Sequence, residues 1–439
     1  MAEQSPPTTE LRKAILLHQQ GELTEAEAAY RRVLEAEPDQ PDAWHLLGVL
    51  AHQRGDSEAA IERIRRSLAI DPRQPLAQNN LGNVLFACGR VDEALASYDA
   101  ALAIRPNYPE AHHNRANVLA RLQRTNEALA GYERAVALQP DYAAARRALA
   151  TMYEDENCLP QALEHCRWLV GHAPPARHQA LQLGRVLRKL NRLDEACEVY
   201  RQWLSVEPDD ALAGHFLAAC GGLPVPARAA DECVQATFDN FADEFDDCLA
   251  KLAYRVPALV DQLVQEAWDA AGKPAWDVAD LGCGTGLCGP GLRVVARRLA
   301  GVDLSAPMLA KARERGTYDE LAEQDLVAFL RQRPGAFDLL VSGDTLVYFG
   351  DLEPVFAAAA QALRPAGMLV FSVERQVSDP AEGRFQFQLN RFGRYVHRPT
   401  YVRETLAAAG FELLVDREEV LRCEAGEPVP GLLVAARKS

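Results

Sequence analysis

The run Asp280-Leu-Gly-Cys-Gly-Thr-Gly286 carries the most chemistry in this chain of 439 residues. An acid precedes three glycines at alternate positions, and a second acid, Asp303, follows 17 residues after Gly286. Glycine lets the backbone press against a ligand and adopts φ values closed to other residues. The G-x-G-x-G spacing departs from the G-x-G-x-x-G of a dinucleotide loop. The ten cysteines include no C-x-x-C pair. His112-His113 and the Cys158, His165, Cys166 group lack metal-ligand spacing, so no metal is expected. Cys283 and Cys288 are read as packing residues.

Alternating strands and helices must position that loop. Strands are expected at 276–281, 299–304, 337–342, 368–373, 411–416 and 431–436. Helices are expected at 307–315, 352–363 and 401–409, with one or two more over 234–264. This alternation with short connections specifies a doubly wound α/β sheet. Ligands of such sheets sit at the carboxyl ends of the strands, which is where Asp280–Gly286 falls.

The loop, the acid at Asp303 and the segment Asp303-Leu304-Ser305-Ala306-Pro307-Met308-Leu309 together resemble class I S-adenosylmethionine-dependent methyltransferases. Asp325-Leu326 fits that family's third acidic position, and Leu363–Leu369 fits the start of its fifth strand. The resemblance covers about residues 236–439 and implies S-adenosylmethionine as cofactor. It implies that Gly282, Gly284 and Gly286 cradle the methionine part, with Asp280 orienting the loop or the amino group. Asp303 would accept both ribose hydroxyls, and Leu304 and Met308 would flank the adenine. Asp325 would receive the exocyclic amine, with the Leu326 amide on a ring nitrogen. The end of the fourth strand faces the methyl group in this family, which makes Asp344 and Tyr348 candidates to hold or deprotonate an acceptor. His397, in the insertion after the fifth strand, is a third candidate because imidazole titrates near neutral pH. Phe238, Phe241 and Phe245 form a stripe that is either helix core or a lid.

The first half is repetitive. Prolines recur at 38, 72, 106, 140, 174 and 208, every 34 residues. Ala26, Ala60, Ala94, Ala128, Ala162 and Ala196 keep the same step, as do small residues at 14, 48, 82, 116, 150 and 184. A mostly aromatic column runs Tyr30, Ile64, Tyr98, Tyr132, Cys166, Tyr200. Small residues let paired helices approach, and the large column is expected to fill the gap to the neighbouring hairpin. Proline ends the second helix of each pair. Gly21, Gly55, Gly89, Thr125, Asn157 and Asn191 are read as the turns between helices. The pattern resembles the tetratricopeptide (TPR) repeat, which implies a superhelix lined inside by the first helix of each unit. His45, Val49, Asn79, Asn83, His113, Asn117 and Arg147 are expected on that face, binding a protein or peptide with asparagine amides on its backbone.

The expected fold is therefore two-domain: an all-α TPR superhelix of about six repeats, then a Rossmann-like class I methyltransferase domain. The array with a capping helix is placed at 7–220, a Gly- and Pro-rich linker at 221–235 and the methyltransferase domain at 236–439. The whole chain resembles bacterial TPR-fused methyltransferases, whose acceptor that resemblance leaves open. The leading expectation is methylation of a protein or peptide recruited by the groove. Small-molecule methylation, with the repeats used for assembly, and a non-catalytic cofactor-binding scaffold are the alternatives. A formal charge of -15 argues against nucleic acid. No uncharged apolar run approaches the ~18 residues of a membrane span. The polar start, Met1 to Pro7, does not resemble a secretory signal, so a cytoplasmic address is expected.

Overall fold

In the computed structural model, residues 9–172, 177–239, 241–376, 385–424 and 427–439 are described. Pro174 and the Met1–Pro7 stretch lie outside them. The chain divides into two compact units, residues 1–173 and 174–439.

The first unit is a succession of helix pairs: α1 (Thr9–Gln19) with α2 (Leu23–Ala36), α3 (Pro41–Gln53) with α4 (Ser57–Ile70), and α5 (Pro75–Ala87) with α6 (Val91–Ile104). These are followed by α7 (Pro109–Arg121) with α8 (Thr125–Leu138) and α9 (Ala143–Asp155) with α10 (Leu159–His172). Proline opens α3, α5 and α7, where its missing N–H would have had no helical partner. A Cβ added to Gly48 would lie 2.6 Å from Ile64, and one on Gly82 would lie 2.6 Å from Tyr98. The large column thus packs on the small column of its own pair, closer to home than the gap between hairpins that periodicity suggested.

The left-handed turn residues also correct one assignment. Gly21, Gly55 and Gly89 have φ of 80°, 85° and 75°, and Asn157 has 57°. In the fourth pair the turn falls on Gln123 (φ 58°), not Thr125, which opens α8. The repeat step put it there, against the usual preference for glycine or asparagine.

Most of the polar residues expected on the inner face are hydrogen-bonded within the array. His45 and Asn79 are buried. Asn80 Nδ2 donates to His45 Nε2 at 2.9 Å, and Asn114 Nδ2 donates to Asn79 Oδ1 at 3.1 Å, the same bond one repeat on. Tyr98 and Tyr132 donate to Asn83 and Asn117 Oδ1, both at 2.7 Å. Asn117 Nδ2 also reaches the half-buried His113. Asn83 and Arg147 are exposed. The sequence could not show this, because equal spacing does not separate a groove-lining amide from one used between repeats.

The second unit begins with α11 (Arg177–Lys189), α12 (Leu193–Val206) and the cap α13 (Ala211–Ala219), then α14 (Asp231–Phe238), α15 (Phe245–Lys251) and α16 (Val256–Ala270). The α/β part follows as β1 (Trp276–Leu281), α17 (Gly289–Val295), β2 (Ala296–Asp303), α18 (Ala306–Arg315), β3 (Glu320–Glu323), α19 (Leu326–Arg331) and β4 (Phe337–Ser342). It ends with α20 (Glu353–Ala362), β5 (Leu363–Arg375), β6 (Phe387–Leu389), β7 (Tyr395–His397), α21 (Pro399–Ala408), β8 (Phe411–Glu424) and β9 (Glu427–Lys438). Strand order is β3-β2-β1-β4-β5-β7-β6, with β9 antiparallel on β5 and β8 on β9. The central strands are apolar on both faces. Val278, Leu339 and Val370 pack with α16, whereas Ala279, Leu340 and Leu369 join Phe329, Phe356 and Phe371. Successive crossovers run outward from β1 to either side, which leaves a crevice at its carboxyl end.

Residues 226–230 pack onto this sheet. Ala229 N donates to Tyr348 O at 2.9 Å, and Gly350 and Asp351 both donate to Ala227 O. No helix among the described residues is long and apolar enough to cross a membrane.

Candidate functional site

At the carboxyl end of β1 the chain must turn sharply, and it does so on glycines: Gly282, Gly284 and Gly286 have φ of 71°, 53° and 86°. A Cβ on Gly282 would lie 2.2 Å from Thr345, so alanine is excluded twice, by sterics and by backbone. One cavity opens beside this loop, lined by Asp280, Gly282, Gly284, Asp303, Leu304, Met308, Asp325 and Leu326. Gly286 is not in that wall; a Cβ added there would meet Tyr318 at 3.0 Å and Arg315 at 3.3 Å instead. Its glycine is needed for the left-handed turn rather than for contact with a ligand.

The three acids are held differently. Asp280 is almost wholly buried and accepts a hydrogen bond from the Tyr318 hydroxyl at 2.7 Å. Burial pushes its carboxyl up to about 7, against the pull of that bond. Asp303 Oδ2 accepts from Gly284 N and Oδ1 from Ser305 N, each at 2.9 Å. Burial raises it too, with the backbone donors opposing. The N-cap of α18 is Ser305, whose Oγ accepts from Met308 N. Asp325 caps α19 through Ala328 N at 2.8 Å, and its Oδ2 accepts from Arg228 at 3.0 Å.

Above the loop, α14 and α15 form a cover. Phe238, Phe241, Phe245 and Leu249 line the cavity, so the aromatic stripe is a lid rather than helix core. α15 has no buried residue of its own. Phe238 meets Tyr348 edge-on at 5.6 Å. Asp246 fastens the cover by accepting from Thr285 Oγ1 at 2.6 Å and from Arg315. Gln235 donates to Leu304 O at 3.1 Å.

The far wall carries Asp344, Tyr348, Arg394, Arg422 and Glu424. Asp344 follows β4 in a left-handed conformation (φ 57°), a costly choice for a non-glycine residue and one that clusters at functional sites. Its Oδ2 accepts from Arg422 Nη1 at 2.6 Å, and Ser372 Oγ accepts from its backbone N–H. Oδ1 is buried without a protein partner. Burial raises its carboxyl, and Arg422 works against the shift. Arg422 also donates to Glu374 and to Glu424 Oε1, while Arg394 donates to Glu374 at 2.5 Å and to both Glu424 oxygens at 2.6 Å. Burial opposes ionisation of Glu424, yet the two guanidinium groups hold it below the ordinary carboxylate range.

His397 is not brought to the cavity. It is 1% exposed, and its Nε2 donates to Phe349 O at 2.8 Å and Gly350 O at 3.1 Å. Burial pulls it down to about 4. An imidazole enclosed and tied to carbonyls is a brace, and the role of base expected for it is corrected accordingly.

Sequence reasoning missed Tyr318, Arg394, Arg422 and Glu424. Tyr318 falls between a helix and a short unpredicted strand, and the others lie on the hairpin and the long strand at the sheet's far side. Only the alternation of Arg422 and Glu424 on one strand face hinted at a shared wall.

Residues 279–371 match the family model described as a methyltransferase domain. Residues 11–75, 109–142 and 180–212 match tetratricopeptide repeat models, and 82–123 a TPR repeat model. The chain is 34% identical over 142 residues to the biotin biosynthesis bifunctional protein BioHC of Saccharophagus degradans, covering 32% of this chain and 24% of that one. It is 34% identical over 106 residues to trans-aconitate 2-methyltransferase of Paracidovorax citrulli, covering 24% and 41%. The chain thus spans less than half the length of these curated relatives. Among solved structures, PilF of Pseudomonas aeruginosa is 20% identical, with a TM-score of 0.43, covering 48% of this chain and 95% of that one. The chain carries tetratricopeptide repeats followed by a methyltransferase domain.

Proposed function

We propose that this chain transfers a methyl group from S-adenosylmethionine to a proton-bearing oxygen or nitrogen on a protein or peptide recruited by its repeats. The observation that carries the reading is a single cavity joining the Asp280, Asp303 and Asp325 carboxylates to Asp344 and Tyr348 under an aromatic lid. The residues present fit the cofactor. Asp303 is oriented by two backbone donors and retains lone pairs for a diol. Leu304, Met308 and Leu326 supply an apolar wall for a flat base, and Asp280 supplies a carboxylate for an ammonium group.

When bound, S-adenosylmethionine supplies a methyl group already activated on a sulfonium, so this chain's residues need only position the acceptor, exclude water and take up a proton. Phe238, Phe241 and Phe245 exclude water. Asp344, which lines the cavity and whose Oδ1 is unpartnered, takes the proton the nucleophile loses. The Tyr348 hydroxyl, its pKa raised by burial, remains a neutral donor beside it. An acceptor that is itself a carboxylate would meet the carboxylates of Asp344 and Glu424, whose arginine partners are already shared among acids.

A small-molecule acceptor is the second reading. It is favoured by the relatives' names, which include trans-aconitate 2-methyltransferase and ubiquinone biosynthesis O-methyltransferase. The test incubates the full chain with methyl-tritiated S-adenosylmethionine and a size-fractionated lysate, after calorimetry has established cofactor binding. Label in macromolecules that falls when Asn83 and Arg147 are replaced supports recruitment by the repeats. Label confined to small molecules selects the second reading.

A further inference from the structure

We infer that α11 and α13 belong to the catalytic unit, with His215 and Arg188 as positioning residues for the acceptor wall; the inference rests on the methyl-transfer reading above. Arg188 and His215 are 4% and 7% exposed, and buried polar groups require partners. Both find them in the turn between β6 and β7. Arg188 Nη1 donates to Arg391 O at 2.6 Å, and His215 Nε2 donates to Gly393 O at 2.8 Å. Burial holds the His215 imidazole below its ordinary range, so the neutral ring donates from Nε2. Arg188 is fixed in turn by the Tyr200 hydroxyl at 3.1 Å and by the Phe216 ring, 3.8 Å from its guanidinium carbon. Phe216 also lies under Gly393, where an added Cβ would come within 2.7 Å of it.

A capping helix needs only to cover an apolar face. These contacts do something else, because the carbonyl that His215 holds belongs to the residue immediately before Arg394. The start of β7 is also anchored: Tyr395 donates to Pro226 O at 2.9 Å and packs with Ala218, Ala219 and Leu389. Arg394 then bonds Glu374 and Glu424, these two acids bond Arg422, and Arg422 bonds Asp344. Asn390 of the same turn donates to Glu374 Oε2 at 2.9 Å. Each arginine in this buried cluster is shared among acids. A turn that shifts would strip a partner from a buried charge, and the cluster would have to rearrange around Asp344. The last repeat and the cap therefore set the geometry of the acceptor wall through the Gly393 carbonyl.

The test uses the full chain. His215→Leu should bind S-adenosylmethionine with wild-type affinity by calorimetry. Its peptides covering 385–397 should exchange amide hydrogen faster, and its transfer of tritiated methyl into lysate should fall by up to about 100-fold, the scale of a small misplacement. His215→Gln, whose amide can reach the same carbonyl, should restore both. If His215→Leu does not fold, Arg188→Gln is read in the same way. Unchanged exchange and transfer in the folded variant would overturn the inference, and so would an equal loss in the Leu and Gln variants. Failure of the wild-type chain to bind the cofactor would instead remove the methyl-transfer reading.

Discussion

The Tyr318 hydroxyl donates to Asp280 Oδ2 at 2.7 Å, joining the carboxyl end of β1 to the segment that leads into β3. The bond spans residues 38 apart in sequence and lies beneath the glycine loop. It gives a buried carboxyl one fixed partner and leaves the rest of its hydrogen-bonding capacity toward the cavity.

Under the proposed reading, in which Asp280 meets the cofactor's ammonium group, cofactor binding should depend on pH. Its carboxyl stands at about 7 in the folded chain against an ordinary value of 3.8. A carboxyl raised by folding gives stability that is fully present below the unfolded value and is lost as pH rises through the folded one. The unliganded chain should therefore lose unfolding free energy between those two values, and Asp280→Asn should flatten that slope in urea titrations. An ammonium group pairing with the carboxylate pulls the other way, so cofactor affinity should rise as pH increases through about 7. Calorimetry in buffers of different ionisation enthalpy should record proton release below that point.

Asp303→Ala should weaken S-adenosylmethionine by about 1.5–3 kcal/mol, the scale of hydrogen bonds to a charged group. Asp303 also orders the Gly284 and Ser305 amides. Asp303→Asn keeps one acceptor oxygen and should recover part of the loss. Unchanged affinity in the alanine variant would remove Asp303 from the site.

Asp344→Asn should lower the rate of methyl transfer by about 10²–10⁴, the usual contribution of a positioned base, with cofactor affinity unaltered. The measurement is initial rate at saturating cofactor beside calorimetric affinity. Equal rates for the two chains would exclude Asp344 as the proton acceptor.

His397→Ala should destabilise the chain by about 1–3 kcal/mol, because the Phe349 and Gly350 carbonyls lose a buried donor. The pH profile of methyl transfer should keep its shape. A lost ionisation in that profile would return His397 to the list of candidate bases.

Much of this protein was legible in its sequence because the features that carry it are local and periodic. A 34-residue step in four columns specifies helix pairs, since each column answers a steric demand met within a single repeat. The glycine loop and Asp303 likewise declare themselves, as a tight turn at a strand end requires particular residue types there. The tertiary structure decided what spacing cannot encode. Asn79 and Asn83 occupy the same helix, yet one is buried against Asn114 and the other is exposed. His397 and Arg394 lie three residues apart, yet one braces two carbonyls and the other faces the cavity. The wall of Asp344, Arg394, Arg422 and Glu424 comes from separate parts of the chain, and its register is set by β5, which pairs with β7 and is joined to β8 through β9. Charge pairs of that kind depend on distances between strands, and a linear pattern of residues holds no record of those distances.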